Sequence, residues 1–218
     1  MDADFWHERW QKGEIGFHQD RPHPALIKHF DALGLTPGAR VFVPLAGKSR
    51  DLAWLAARGC AVVGIELSAI AVEEFVAENG AQPHVDLRCG DLFALTPQSL
   101  GPIDAIFDRA ALVALPPPMR TRYAAKLREL ATPGTRTLLV TMEYDQSRMR
   151  PSDSGGDNGG NESDMELRTF ISHSDHPASF SHRGMSTQYT RTATHAHAND
   201  AMTIHRMHVV PRTMEWSS

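Results

Sequence analysis

Two cysteines, Cys60 and Cys89, are all that the 218 residues contain. That excludes a disulfide framework and a four-thiolate zinc site and agrees with a reducing compartment; both thiols are expected to be buried packing residues. No stretch approaches the roughly 18 apolar residues of a membrane-spanning helix. Residues 1–20 mix Asp, Glu, Arg, Lys and His among the aromatics, which is not the apolar core of a signal peptide. A cytoplasmic protein with no membrane partner is therefore expected. Positive charge is also scarce: 22 Lys and Arg stand against 26 Asp and Glu, for a net charge of -4. Such a balance leaves no electrostatic footprint for nucleic acid. The dinucleotide fingerprint G-x-G-x-x-G is missing. Leucine all but vanishes past residue 150, where Leu167 stands alone.

What is present is 41% hydrophobic and long enough for one sizeable core. An aromatic opening around Phe5, Trp6 and Trp10 reads as helical. Leu26, Ile27, Phe30 and Leu33 recur at helical spacing between Pro24 and Gly34, a glycine where helices often end. From Arg40 the pattern alternates. Strands are predicted at Val41–Val43, Ala61–Ile65, Val85–Cys89, Ile103–Phe107 and Thr137–Thr141, separated by helical periods at Leu52, Leu55 and Ala56, at Ser68 to Asn79, and at Tyr123, Leu127 and Leu130. Ser68 is placed to cap the second of these through its hydroxyl. Strands alternating with helices require crossover connections, hence an α/β fold with a Rossmann-like, mainly parallel sheet and helices on both faces.

Ligands of such sheets bind beyond the carboxyl ends of the strands. Four segments fall there. Val43-Pro44-Leu45-Ala46-Gly47-Lys48 follows the first strand, with Gly47 allowing the backbone to approach a ligand. Glu66 follows the second, about twenty residues on, where a carboxylate can accept both hydroxyls of a ribose. Gly90-Asp91 follows the third, positioned to meet an adenine edge, and Asp108-Arg109-Ala110-Ala111-Leu112 follows the fourth. Singly, each also reads as an ordinary turn or a solvated charge, and Trp6 and Trp10, one helical turn apart, also read as core. A ribose acceptor without a pyrophosphate loop favours S-adenosyl-L-methionine over NAD as cofactor.

Together these stretches resemble the bacterial thiopurine S-methyltransferases over roughly residues 4–148. The matching runs are Phe5-Trp6-His7 with Trp10, Ile15-Gly16-Phe17-His18-Gln19, Arg40-Val41-Phe42-Val43-Pro44-Leu45, Gly47-Lys48 with Arg50-Asp51-Leu52, Val62-Val63-Gly64-Ile65-Glu66-Leu67-Ser68, Cys89-Gly90-Asp91-Leu92-Phe93-Ala94-Leu95, Asp108-Arg109-Ala110-Ala111-Leu112 and Tyr144-Asp145-Gln146-Ser147. The resemblance implies that Trp10, Leu45, Glu66 and Arg109 contact the methyl donor. It also implies that Gly16-Phe17-His18 covers the acceptor, with Phe17 as an aromatic platform. The acceptor would be a small-molecule thiol such as a thiopurine. Methylation of selenium or tellurium compounds is the second enzymatic reading, and an inactive nucleoside-binding remnant the non-enzymatic one. Aromatic thiols ionise easily, so no general base is assigned; Asp20, His18 or Arg109 can orient the thiolate. A monomer is expected.

Three departures from the family stand out. Ala46 occupies a position where relatives usually carry Cys. The chain between Gln82 and Cys89 is shorter than in relatives, which have a further strand pair there. After Ser147 the family's Gly-Pro-Pro-Phe motif, helix and closing antiparallel strands are not recognisable. The methyltransferase domain is thus expected to occupy residues 1–149. Residues 150–218 form a tail outside the family, expected to be disordered, that reads as an out-of-frame translation. Gene sequencing tests this: no shift of one or two nucleotides restoring a Pro-Pro-Phe reading would refute it. Seven of the twelve histidines lie in the tail. They offer metal-ligand pairs at His173 with His176, His195 with His197 and His205 with His208, but no evident scaffold to orient them. Loss of the closing strands would leave the fifth strand an unprotected edge.

Overall fold

A computed structural model describes residues 3–144 and the strand 165–173. In chain order come α1 (Ala3–Gln11), α2 (Pro24–His29), β1 (Arg40–Pro44), α3 (Arg50–Ala57), β2 (Ala61–Glu66), α4 (Ala69–Asn79), β3 (Val85–Cys89), α5 (Pro97–Leu100), β4 (Ala105–Arg109), α6 (Ala111–Ala114), α7 (Pro117–Leu130), β5 (Arg136–Tyr144) and β6 (Met165–His173). The sheet runs β3-β2-β1-β4-β5-β6. The first five strands are parallel and β6 is antiparallel to β5. This is the doubly wound α/β architecture expected from the alternating pattern.

Each parallel strand near the centre buries both faces, so its apolar run is continuous. Val41, Val43, Val62, Phe107 and Leu138 share one core with Leu26 of α2, Leu52 and Leu55 of α3, and Phe75 of α4. Phe42, Val63, Ile65 and Ile106 pack on the other face with Tyr123, Leu127 and Leu130 of α7. Proline at the first turn of α7 leaves no amide unpaired there, and the i, i+4, i+7 spacing of those three residues supplies the buried stripe.

Gly64, in the middle of β2, marks where the packing is tightest. A Cβ there would lie 2.7 Å from Leu87 Cδ1 and 3.3 Å from both Ala46 Cβ and Leu52 Cδ2. Ala46 is itself buried, 6% exposed, in the core beneath the β1–α3 turn. A small residue is needed at 46 for this packing, which is why Ala can stand where relatives carry Cys. Gly64→Val is expected to lower stability by about 1–3 kcal/mol, since neighbours on two elements must shift. Urea unfolding would measure it, and an unchanged midpoint would refute the packing argument.

Four expectations are corrected. The fourth strand begins two residues later than predicted, at Ala105, so Asp108 and Arg109 end the strand instead of following it. Ser68 occupies the N-cap of α4 but makes no side-chain cap hydrogen bond; its amide is drawn to Glu66 instead. Cys89 is exposed, whereas Cys60 is buried as expected. Finally, part of the segment expected to be disordered, Met165–His173, forms β6 along the full length of β5, so β5 is not a sheet edge. Its Met-Glu-Leu-Arg alternation followed by β-favouring Thr169, Phe170 and Ile171 suits a strand. The rest of 150–218, with the histidine pairs other than His173, lies outside the described residues.

Candidate active site

The chain winds outward from β1 through β2 to β3, then returns to continue through β4 and β5, so the switch point lies between β1 and β4. Two features of the backbone single out this place. Leu45, just after β1, has φ 47°, and Ala110, just after β4, has φ 64°; they are the only non-glycine residues with positive φ among the described residues. Such conformations are uncommon for residues with a Cβ and concentrate at functional sites. Gly47, two residues beyond Leu45, also turns left-handed, at φ 54°.

Glu66 closes β2 beside this turn and is 6% exposed. One carboxylate oxygen accepts the Gly47 amide at 2.8 Å and the other accepts the Ser68 amide, also at 2.8 Å. Burial pushes its pKa above the usual carboxylate range, and the amides of Ser68, Gly47 and Leu67 together with His7 pull it back. His7 belongs to α1, which brings its aromatic face over the same turn. Trp10 is 5% exposed, and its indole lies 3.4 Å from where a Cβ on Gly47 would stand. Phe17 meets Trp10 and Trp6 edge-on, at centroid distances of 5.8 and 5.7 Å, while remaining 42% exposed itself. An aromatic wall thus rises from the Gly47 turn to the surface.

On the β4 side, Arg109 forms an ion pair with Asp51, its Nε 3.2 Å from Oδ2, and its Nη2 donates to Ser49 Oγ at 3.5 Å. His18 is half-buried and, with Gln19, Asp20, Arg21 and Pro24, lines a cavity of about 350 Å³. Burial lowers the His18 pKa, assisted by the charges of Lys48, Arg50 and Arg109 and opposed by Glu78. Asp91, beyond β3, is exposed and accepts the Phe93 amide at 2.8 Å, capping a short 3-10 turn. Of the residues singled out in the sequence, Trp10, Leu45, Gly47, Glu66 and Phe17 surround the first turn. Arg109 sits at the end of β4 against Asp51 of α3, His18 lines the cavity before α2, and Asp91 lies beyond β3.

Sequence reading missed three groups. Asp51 and Ser49 tie Arg109 to the start of α3, a link no local pattern announces. Lys48 is committed to Glu74 and Glu78 of α4, at 2.8 and 2.6 Å. Tyr123, from α7, donates at 2.7 Å to the buried Asp108.

A switch-point crevice of this kind on a five-stranded parallel sheet is that of class I S-adenosylmethionine-dependent methyltransferases. Similar solved structures include the 1,6-didemethyltoxoflavin-N1-methyltransferase of Burkholderia thailandensis, with a TM-score of 0.53 and 21% identity, over 66% of this chain and 62% of that one. Another is a methyltransferase from Anabaena variabilis, with a TM-score of 0.52 and 19% identity, over 64% and 61%. At these identities the likeness establishes the fold. The family model described as thiopurine S-methyltransferase matches residues 1–154, and the chain belongs to that family. Curated relatives bearing that name include one from Xanthobacter autotrophicus, 53% identical over 161 residues covering 67% of this chain and 75% of the relative. One from Pseudomonas syringae pv. tomato is 47% identical over 163 residues, covering 68% and 74%. The protein is an S-adenosylmethionine-dependent S-methyltransferase. Among the described residues, no helix is long and apolar enough to cross a membrane.

Proposed function

We propose that the chain methylates the sulfur of thiopurines or of other small aromatic and heterocyclic thiols. In this reading Trp10, Leu45, Gly47, Glu66, Asp91 and Arg109 surround the methyl donor, and Phe17 and His18 serve the acceptor. The observation that carries the donor site is the Glu66 carboxylate, buried at the end of β2 with one amide on each oxygen. An ionised carboxylate oxygen has a second acceptor direction, so both hydroxyls of a ribose can still be taken. Lys48 follows Gly47 as a phosphate-binding lysine would, yet its ammonium is held by Glu74 and Glu78. The turn therefore suits a nucleoside without phosphates.

Bound there, adenosylmethionine supplies a methyl group already activated on a sulfonium. What remains for the protein is geometry: holding the acceptor sulfur in line and near contact, which replaces a chance encounter by an intramolecular step. Phe17 offers a ring for a flat heterocycle to pack against. Arg109 supplies a permanent positive charge for a thiolate. His18, its pKa lowered, is neutral at neutral pH and can act as a hydrogen-bond partner to the acceptor. No covalent intermediate on the protein is required.

The test is transfer of labelled methyl to a thiopurine, a substituted thiophenol and a selenium or tellurium acceptor, in competition. Preferential labelling of the thiols is expected. Failure to label any thiol, by protein that binds the donor in calorimetry, would overturn the proposal.

A further inference from the structure

Asp51 makes more connections than a helix-start carboxylate needs. It is 2% exposed and sits in the first turn of α3. One oxygen accepts the His23 amide at 2.7 Å. The other accepts Ser49 Oγ at 2.8 Å and forms an ion pair with Arg109, whose Nε lies 3.2 Å away. Ser49 in turn accepts the Asp51 amide, capping α3, and lies 3.5 Å from Arg109 Nη2. Three separate parts of the chain therefore meet on one carboxylate: the segment entering α2, the turn after β1 and the end of β4.

Each partner bears on the site. His23 lies between the stretch His18 to Arg21 and Pro24, which together line the cavity beside the proposed acceptor cover. His23 is 2% exposed, and its Nδ1 accepts the Ala25 amide, so the end of the cover is anchored at both backbone and ring. Arg109 presents a fork of donors whose direction depends on where Nε is fixed. With Nε on Asp51 and Nη2 toward Ser49, Nη1 makes no other hydrogen bond among the described residues.

We propose that Asp51 is a positioning residue that locks the Arg109 guanidinium and the acceptor cover into one register, so that acceptor orientation depends on a carboxylate that touches neither ligand. This rests on the reading above in which Arg109, while bordering the donor, also turns its charge toward the acceptor thiolate. Asp51→Asn keeps the size and one carbonyl acceptor but loses the charge that holds Nε. It is expected to reduce turnover of a thiophenol acceptor about tenfold or more while leaving donor affinity within about twofold in calorimetry. Arg109→Lys keeps a cation but has no Nε to set beside Asp51, and should show a comparable loss of turnover even if Asp51→Asn folds poorly; because Arg109 also borders the donor, turnover and not donor affinity is the readout for this variant.

The deciding measurement is the double-mutant cycle. Asp51→Asn combined with Arg109→Lys should be no slower than Arg109→Lys alone. Multiplicative losses in the cycle, or equal losses in donor binding and turnover, would make Asp51 merely structural and overturn the coupling. Wild-type acceptor kinetics in both Arg109→Lys and Arg109→Ala would instead overturn the assignment of Arg109 itself, and the coupling with it. Methyl transfer to no thiol even by the unaltered chain would implicate the functional reading as a whole.

Discussion

Replacing Glu66 by Gln is expected to weaken adenosylmethionine binding by about 10- to 100-fold, the equivalent of one lost hydrogen bond to a charged acceptor. The amide keeps a single carbonyl oxygen, so the two backbone N–H groups and two ribose hydroxyls would compete for it. An NH2 group would meet either the Gly47 or the Ser68 amide, both of which are donors. Glu66→Ala should be worse for a further reason, because it also frees the Gly47 turn that Trp10 leans on. Circular dichroism would then register a loosened turn as well as calorimetry a lost ligand. Donor affinity equal to wild type in Glu66→Gln would remove the ribose assignment.

The second large effect concerns stability. Asp108 is buried against Tyr123, and burial raises its pKa to about 6, against the pull of the Tyr123 hydroxyl and of the Leu112 and Ala111 amides. A folded-state pKa above the unfolded value of 3.8 means that the native state binds the proton more tightly. Stability from this group is therefore full below about pH 4 and is lost as pH rises through about 6. By neutral pH the loss amounts to roughly 3 kcal/mol. Asp108→Asn keeps an acceptor for Tyr123 but cannot ionise. It is expected to be more stable than wild type at pH 7 and to flatten this part of the pH profile in denaturant titrations. Tyr123→Phe should do the reverse, removing the hydroxyl from a carboxylate whose Oδ1 makes no hydrogen bond, at about 1–3 kcal/mol. The same slope in Asp108→Asn as in wild type would show that another group titrates.

The periodic parts of the chain were legible because burial on both sheet faces leaves continuous apolar runs, as in Val41-Phe42-Val43. Where the reading slipped, tertiary contacts had replaced local ones. Ile103 looked like a strand residue because it is buried, 2% exposed, yet its carbonyl accepts Thr135 Oγ1, and the strand starts only at Ala105. Ser68 looked like a cap because its residue type and position fit. Glu66, two residues earlier, takes its amide, and no cap bond forms from the hydroxyl. Leu45, Gly47, Glu66, Asp91 and Arg109 stood out because they lie at or just beyond strand ends in order, a positional rule that needs no partner. Asp51 escaped because its role is defined by His23 and Arg109, which are distant in sequence and meet only in the folded chain.

The two left-handed residues at the switch point, Leu45 and Ala110, have a consequence for ligand entry. Glycine in these places would leave each turn free to sample many shapes. A side chain narrows the choice, so once the sheet has formed around them the walls on either side of the gap keep their outline. The entropy of shaping those walls is spent when the chain folds, and an arriving nucleoside finds a mould already set.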